Sequence, residues 1–356
     1  MKLLFIPLLV ILAFGNACAP TPNSTNDKNK TDSLKSGVFV NPIADGADPW
    51  VFKKDGFYYY CGSGQGGIYV SKSDKLTSMG ERKIVWKPTE GWNRSNIWAP
   101  EIHFINGKWY IYYAAGLSGP PFIHQRAGVL ESVSDDPFGP YKEKGMMYTG
   151  DNILDTTSVK WAIDLTTLKM NGKRYAIWSG WEENRDTDKT KQHLYIASMN
   201  SPYTIDGNRV KISSPEEAWE TGGPLDLNEG PQILQKDEKV HIIYSTRESW
   251  MIEYRLGQLT LSDTLLDPLN PNNWVKTGPV FQGTGEVLGV GHASFTTSPD
   301  GTENWIFYHS KKTPEPGWDR NIRLQKFEWN ADGSPDFGRP IPAGVPIPLP
   351  SGEEAN

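Results

Sequence analysis

The sequence predicts an all-β protein built as a five-bladed β-propeller. Beyond residue 38 it contains few amphipathic helical periods and many short strands rich in Tyr, Trp, Ile and Val. A turn followed by an aromatic-rich strand recurs at residues 55–60, 106–113, 171–178, 237–244 and 301–308. From Gly56 the corresponding positions are Gly107, Gly172, Glu238 and Glu303, at steps of 51, 65, 66 and 65 residues, so each interval has room for four strands. A β-sandwich or β-helix would repeat at shorter or less regular intervals.

The N-terminus has the pattern of an export signal. Lys2 is followed by an apolar run over residues 3–14, too short for a membrane span, and then by small residues leading to Cys18. Residues 1–18 resemble a bacterial lipoprotein signal peptide with Cys18 as the lipidated residue; ordinary secretion with cleavage near Ala19 is the alternative. Residues 19–37 are polar and predict a disordered tether. We expect an exported monomeric propeller over residues 38–350, with membrane contact only through the lipid anchor.

Composition narrows the class of ligand. The formal net charge is −6 and the pI near 5.6, which argues against binding to nucleic acid. The chain has 14 Trp, 15 Tyr and 13 Phe, a density that suits stacking on sugar rings, although most of these rings are expected in the core. Cys61 is the only cysteine besides Cys18, so no disulfide framework is expected.

Ionisable residues precede each repeated hairpin at similar distances. These residues are Asp48, Glu101, Asp164, Glu229 and His292. If each lies in the innermost strand of its blade, four acids and a histidine meet near one mouth of the central channel. Convergent ionisable groups in a pocket indicate a functional site rather than packing.

Taken one at a time, these residues have simpler explanations. Asp48 precedes a proline and could form a turn, and His292 could be a core histidine or bind a metal or an anion. Glu101 could contact substrate or pair with an arginine. Asp164 has apolar neighbours on both sides and Glu229 stands before a buried strand, so each must be hydrogen-bonded or used.

The same segments carry a family resemblance. Residues 47–50, 98–101, 162–164, 228–231, 291–305 and 323–335 resemble, in this order, motifs of glycoside hydrolase family 43. This family comprises five-bladed-propeller arabinofuranosidases, arabinanases and xylosidases. The resemblance extends from about residue 40 to about residue 345.

The resemblance implies a role for each matched residue. Asp48 corresponds to the general base, Glu229 to the general acid, and Asp164 to the acid that tunes Glu229 and orients the substrate. His292 corresponds to a histidine that helps to hold Ca²⁺ in many members. The substrate contacts predicted from the matched motifs are Trp98, Glu101, Trp161 and Arg323.

Inverting hydrolysis sets physical requirements on the two catalytic acids. A water must fit beside the sugar, so the carboxyl groups of inverting enzymes stand roughly 6.5–9.5 Å apart. The general acid must be protonated near neutral pH, which burial and a nearby carboxylate favour. The base must stay ionised, so we expect Asp48 to be better solvated or hydrogen-bonded than Glu229.

The expected reaction is release of L-arabinofuranose from arabinan or other arabinose-containing saccharides. Xylosidases of the family commonly carry a further β-sandwich after the propeller, for which residues 339–356 leave no room. An endo-α-1,5-L-arabinanase and a β-xylosidase remain alternatives on the same scaffold, and residues 116–125 and 182–192 are candidate loops for closing one end of an exo-acting cleft. A non-catalytic sugar-binding lipoprotein is the alternative from a different class.

Overall fold

The computed structural model describes residues 37–355; the predicted signal peptide, Cys18 and the tether up to residue 36 lie outside the described residues. Within this range the chain forms β-strands and a single 3₁₀ turn at Pro271–Asn273, with no α-helix. None of the described residues forms a helix of the length and apolarity that a membrane span requires. The strands are β1 (Val38–Val40), β2 (Ala44–Asp45), β3 (Trp50–Lys54), β4 (Phe57–Gly64), β5 (Gly67–Ser73), β6 (Lys83–Trp86), β7 (Ser95–Ile105), β8 (Lys108–Gly116), β9 (Arg126–Ser132), β10 (Tyr141–Met146), β11 (Ala162–Met170), β12 (Lys173–Gly180), β13 (His193–Ser201), β14 (Thr204–Ile205), β15 (Val210–Ser213), β16 (Asn228–Lys236), β17 (Lys239–Thr246), β18 (Arg255–Leu261), β19 (Trp274–Gln282), β20 (Leu288–Thr297), β21 (Asn304–Lys311), β22 (Arg320–Trp329), β23 (Pro335–Asp336) and β24 (Pro346–Pro348).

Five antiparallel sheets form the blades, which confirms the predicted five-bladed propeller; a sixth, two-stranded sheet pairs β1 with β24. Blade I is β3–β6, blade II is β7–β10, blade III is β11–β15 and blade IV is β16–β19. Blade V contains β20, β21 and β22, with β2 and β23 paired to β22. In every blade the first two strands are joined by one of the hairpin turns recognised in the sequence.

The ring is closed by the beginning of the described chain. Strand β2 pairs with β22, with Ala44 opposite Ile322, so blade V combines strands from both ends of the propeller. The side chain of Asn41 joins the same two segments. Its Nδ2 donates to the Leu324 carbonyl at 2.8 Å, and its Oδ1 accepts from the Leu324 N–H at 3.0 Å. Full closure of this kind leaves no open gap between the first and last blades.

The hydrophobic core lies mainly between neighbouring blades. Five clusters of buried side chains each join one blade to the next. Between blades II and III, for example, Tyr112 packs in one cluster with Trp178, and between blades V and I the rings of Tyr60 and Phe307 meet edge-on at 5.7 Å. This packing explains most of the tryptophans and tyrosines, as the sequence composition led us to expect.

The innermost strands surround the axis. Strands β3, β7, β11, β16 and β20 are the first strands of their blades, and each contacts the next around the ring. Residues at the start of these strands therefore approach one another at one end of the channel.

Candidate active site

In each blade a residue with left-handed backbone geometry lies in or just before the start of the innermost strand. These residues are Asp48 (φ 49°), Ala99 (φ 39°), Asp164 (φ 56°), Gly230 (φ 56°) and His292 (φ 47°); β7 and β20 each have a second one, at Asn96 and Gly289. In blades II to V the pairing register between the first two strands shifts at this point. Four of the five are not glycine, and outside a tight turn left-handed geometry costs such residues free energy, a form of strain that clusters at functional sites.

This regularity corrects the predicted positions of two acids. Asp48, Asp164 and His292 occupy the left-handed position itself, as expected from their equivalent spacing. Glu229 is one residue before that position in blade IV, where Gly230 occupies it, and Glu101 is two residues after it in blade II, where Ala99 occupies it. The five predicted residues thus belong to the same strand segment but not to the same position.

Asp48 lies among three basic side chains. Its Oδ1 lies 3.2 Å from Arg320 Nη1, 3.2 Å from His309 Nδ1 and 3.4 Å from His292 Nδ1. Its backbone N lies 3.1 Å from His309 Nδ1. A quarter of its side chain remains exposed, so a water molecule can reach the carboxylate.

These neighbours keep Asp48 ionised. Burial by itself would raise the pKa of the Asp48 carboxyl, but the positive charge of Arg320, the charge of His292 and the neighbouring imidazole of His309 outweigh it. The pKa of Asp48 is therefore held well below its ordinary range. Asp48 fulfils the expectation of a carboxylate that stays ionised.

Glu229 has the opposite environment. It is buried, and its Oε1 accepts a hydrogen bond from the hydroxyl of Tyr254 at 2.9 Å. Burial and then the negative charge of Asp164 raise the pKa of Glu229 well above its ordinary value, against the hydrogen bond from Tyr254. Both influences favour the protonated carboxyl, which is the form that a general acid needs.

Asp164 links the two acids. Its Oδ2 accepts the N–H of Gly230, the residue after Glu229, at 2.9 Å, and this bond fixes the backbone that carries Glu229. Burial raises the pKa of Asp164 to about 6; the Asp48 charge adds to this rise, while the His292 charge and the Gly230 hydrogen bond oppose it. The ionised form of Asp164 raises the pKa of Glu229 and so favours its protonated form.

His292 lies beside Asp48 and is held by a backbone hydrogen bond. Its backbone N–H donates to Ser245 Oγ at 2.8 Å, and its ring packs 6.1 Å from the ring of His309. The side chains present do not by themselves form a calcium site, because Ca²⁺ takes six to eight oxygen ligands and no group of three His, Cys, Asp or Glu in residues 37–355 is placed to hold a metal ion. Calcium at His292 stays a sequence-based prediction.

Glu101 does not face the substrate space. Both of its carboxylate oxygens have protein partners, since Oε1 accepts from Gln232 Nε2 and Oε2 lies 3.0 Å from His103 Nε2. The residue is almost fully buried, and burial raises its pKa to about 8, against hydrogen bonds from Thr166 and Gln232. Glu101 therefore belongs to a buried hydrogen-bond network and is not placed as the predicted substrate contact.

Two further predicted substrate contacts are also buried. Trp161 is 2% exposed, stacks on Trp181 with ring centroids 4.4 Å apart, and donates its Nε1–H to the Phe122 carbonyl at 2.8 Å. Arg323 is 4% exposed, with Nε donating to Ser310 Oγ at 2.7 Å. Neither side chain is accessible to a sugar, so the buried positions of Trp161 and Arg323 contradict their prediction as substrate contacts.

Trp98 and the two candidate wall loops lie together. Trp98 is half-buried and packs edge-on against Phe122 at 5.1 Å, so part of its ring remains accessible. The N–H of Phe122, in the loop at residues 116–125, donates to Asp188 Oδ2 at 3.0 Å, in the loop at residues 182–192. The two loops predicted to close one end of a cleft therefore contact each other.

Three residues at the site were missed by the sequence reasoning. Arg320, rather than Arg323, faces Asp48; the two lie three positions apart on β22, and side chains alternate between the faces of a strand. His309 lies on β21, a second strand with no motif to mark it. Only Gly291 hinted at Tyr254 in the sequence. A Cβ atom at Gly291 would overlap the Tyr254 ring, so this position must be glycine.

The geometry agrees with comparisons to known proteins. The sequence matches Glycosyl hydrolases family 43 over residues 39–335. It is 37% identical to an extracellular exo-α-(1→5)-L-arabinofuranosidase of Streptomyces avermitilis over 87% of this chain and 65% of that protein. It is 33% identical to α-L-arabinofuranosidase 43 of Humicola insolens over 96% of this chain and 69% of that protein.

A solved structure agrees as well. The crystal structure of an α-L-arabinofuranosidase from Lactobacillus brevis superposes with a TM-score of 0.77 at 30% identity, covering 86% of this chain and 98% of that one. The chain spans about two thirds of the length of the curated relatives named above. Because the family match covers residues 39–335, most of the propeller, the chain belongs to glycosyl hydrolase family 43.

Proposed function

We propose that this protein is an inverting exo-α-L-arabinofuranosidase that releases L-arabinofuranose from arabinan or from arabinose-containing oligosaccharides. The observation that carries the proposal is the pair of opposed carboxyl environments at the axis. Asp48 is held ionised by Arg320 and two histidines, while Glu229 is buried and protonated beside Asp164. General acid–base hydrolysis of a glycoside needs these two protonation states at one site.

In this proposal Glu229 is the general acid. It transfers its proton to the glycosidic oxygen as the bond between that oxygen and the anomeric carbon breaks, so the leaving sugar departs as a neutral alcohol. Tyr254 holds the carboxyl in place through its 2.9 Å hydrogen bond. Asp164 keeps Glu229 protonated by its charge and orients it through the Gly230 N–H.

Asp48 is the general base. It removes a proton from a water molecule whose oxygen forms the new bond to the anomeric carbon from the face opposite the leaving group, which inverts the configuration. Arg320, His292 and His309 fix the carboxylate and keep it ionised. The exposed quarter of its side chain is where that water approaches.

Exo action on α-linked arabinofuranose is favoured over the alternatives by two observations. The relative from Streptomyces avermitilis is named an exo-α-(1→5)-L-arabinofuranosidase, and the relative from Humicola insolens an α-L-arabinofuranosidase. The contact between the loops at residues 116–125 and 182–192 supports a cleft closed on the side of blades II and III. An endo-arabinanase needs an open cleft, and a β-xylosidase needs a pyranose-shaped site.

Product analysis tests the activity. The wild-type protein is expected to release arabinose from linear arabinan and to release little xylose from xylo-oligosaccharides, measured by anion-exchange chromatography, with proton NMR showing β-arabinofuranose as the first anomer. Glu229→Gln and Asp48→Asn should each lower kcat by about 10²–10⁴-fold. Glu131→Gln is the matched control, because Glu131 is a carboxylate paired with Lys108 on blade II.

Other products would contradict specific parts of the proposal. Oligosaccharides as first products from arabinan would replace exo by endo action, and preferential xylose release would replace arabinose as the substrate. Undiminished turnover in a folded Glu229→Gln variant would remove the acid assignment. Saccharide binding with no turnover by the wild type would favour the non-catalytic lipoprotein.

We further propose that the protein is exported and anchored through a lipid on Cys18. The relative from Streptomyces avermitilis is named as extracellular, which supports export. In a bacterial host, Cys18→Ala should move the full-length protein from the membrane fraction to the soluble fraction. Membrane partition that survives this substitution would refute the lipid anchor and leave ordinary secretion.

A further inference from the structure

One tryptophan stands apart from the packed rings of the propeller. All 14 tryptophans lie within residues 37–355, and Trp318 alone among them is exposed, at 59%. It lies in the loop between β21 and β22 of blade V. More than half of this indole is left in water, so its apolar face is available to a ligand.

Trp318 is exposed but held in place. The N–H of the preceding residue, Gly317, donates to the Trp250 carbonyl at 2.9 Å, and Lys311 Nζ donates to the Gly317 carbonyl at 2.8 Å. The rings of Trp318 and Trp250 meet at 4.9 Å with an angle of 51° between their planes. A ring fixed in this way can receive a ligand without first losing its own freedom.

Each of these two tryptophans lies near a residue that contacts one of the axial carboxyls. The guanidinium of Arg320 lies 5.4 Å from the centre of the Trp318 ring, and the same side chain contacts Asp48 at 3.2 Å. Trp250 lies in the blade IV loop that also carries Tyr254, whose hydroxyl donates to Glu229. The tryptophan pair is therefore next to the mouth of the site, between the blades that supply the acid and the arginine.

We propose that Trp318, with Trp250 at its edge, binds the sugar ring on the leaving-group side of the bond that is cleaved. This inference rests on the proposed glycosidase function and assigns the substrate as an oligosaccharide rather than a single arabinose on a small alcohol. The leaving group takes its proton from Glu229, so it emerges on the side of the blade IV loop that carries both Tyr254 and Trp250. The apolar C–H face of a furanose can cover the exposed indole, and burial of both surfaces favours binding.

The test compares two substrates that share the same cleaved sugar. Arabinotriose reaches Trp318, whereas the methyl group of methyl α-L-arabinofuranoside does not. In Trp318→Ala, the ratio of kcat/KM for arabinotriose to kcat/KM for the methyl glycoside should fall about tenfold, equivalent to about 1.4 kcal/mol. Most of the loss should appear in KM, and Trp318→Phe should restore most of the ratio.

A matched variant controls for the loss of an exposed aromatic ring. Tyr203 is 38% exposed and packs against Lys144 on the outer part of blades II and III, so Tyr203→Ala should leave the ratio unchanged. A ratio within twofold of wild type in a folded Trp318→Ala variant, or an equal loss on both substrates, would overturn the assignment.

Calorimetry separates failure of this inference from failure of the proposed function. Arabinotriose should bind a Glu229→Gln variant about tenfold more tightly than a Glu229→Gln, Trp318→Ala double variant. Equal binding by these two variants refutes the Trp318 site. If wild type cleaves neither substrate, the glycosidase proposal fails, and the same pair of titrations still decides whether Trp318 binds the saccharide.

Discussion

Replacing Gly230 by alanine should damage the site more than it damages the fold. Gly230 has φ +56°, and an added Cβ would lie 3.2 Å from Nδ1, 3.3 Å from Cγ and 3.4 Å from Cε1 of His292. These contacts are tighter than normal packing, so the imidazole must move by a few tenths of an ångström. His292 Nδ1 lies 3.4 Å from Asp48 Oδ1, and the movement is therefore passed to the proposed base.

The cost to stability can be separated from the cost to activity. Left-handed geometry costs an L-residue about 1–2 kcal/mol, and alanine recovers about 0.4–1 kcal/mol by restricting the unfolded chain. The backbone effect is thus about 1 kcal/mol, a fall in Tm of about 2–4 °C. Displacement of the catalytic groups should lower kcat/KM on an aryl α-L-arabinofuranoside by about tenfold or more, since small misplacements of reacting groups are costly.

Gly301 provides the matched control. It has φ +78° in the hairpin turn of blade V, and a Cβ there would meet nothing within 4 Å. Gly301→Ala should therefore share the backbone cost but keep full activity, as read from thermal melts and steady-state kinetics on both variants. If Gly230→Ala loses no more activity than Gly301→Ala, the coupling of Gly230 through His292 to the base is wrong.

Three further outcomes follow from the charges and the packing. Asp164→Asn removes a charge that raises the pKa of Glu229, so the protonated acid is lost at lower pH and the alkaline limb of kcat/KM should move to lower pH; an unmoved limb would contradict this. Arg320→Met removes the largest influence that lowers the pKa of Asp48, so the acidic limb should move to higher pH as protonation of the base begins earlier, whereas a shift in the other direction would exclude this pairing. Trp161→Ala should lower the free energy of unfolding by about 3–5 kcal/mol in denaturant titrations; an unchanged stability with a raised KM would restore Trp161 as a substrate contact.

The fold could be predicted because each blade has a short, recognisable sequence pattern. A propeller blade begins with a tight hairpin between two aromatic-rich strands, and Asp-Gly or Asn-Gly pairs mark three of these turns; Asp55, Asn106 and Asn171 all have the positive φ that such turns require. The even spacing then fixes the number of blades. The use of β2 in blade V could not be foreseen, because a two-residue strand carries too little pattern to reveal its partner.

The acids proposed for catalysis could be singled out for a related reason, while the residues that contact them could not. Asp48 and Asp164 recur at one position of a repeat, which singles them out from other acids. Arg320 acts through a contact between distant parts of the chain, and only the alternation of faces along β22 decides between it and Arg323. Trp161 looked accessible because its motif adjoins the site, but it stacks on Trp181, a contact between two loops that periodicity does not encode.

The pairing of β2 with β22 also has a consequence for how an active molecule arises. Asp48 follows β2 by three residues, yet its partners His309 and Arg320 belong to the last blade, 261 and 272 positions further along the chain. Contacts across such separations carry the largest loop-closure cost and are slow to form. Blades II to IV, with Glu229 and Asp164 in their strands, can be in place while Asp48 still lacks the groups that hold it ionised. We therefore expect the surroundings of Asp48 to be completed late in folding, when β2 pairs with β22.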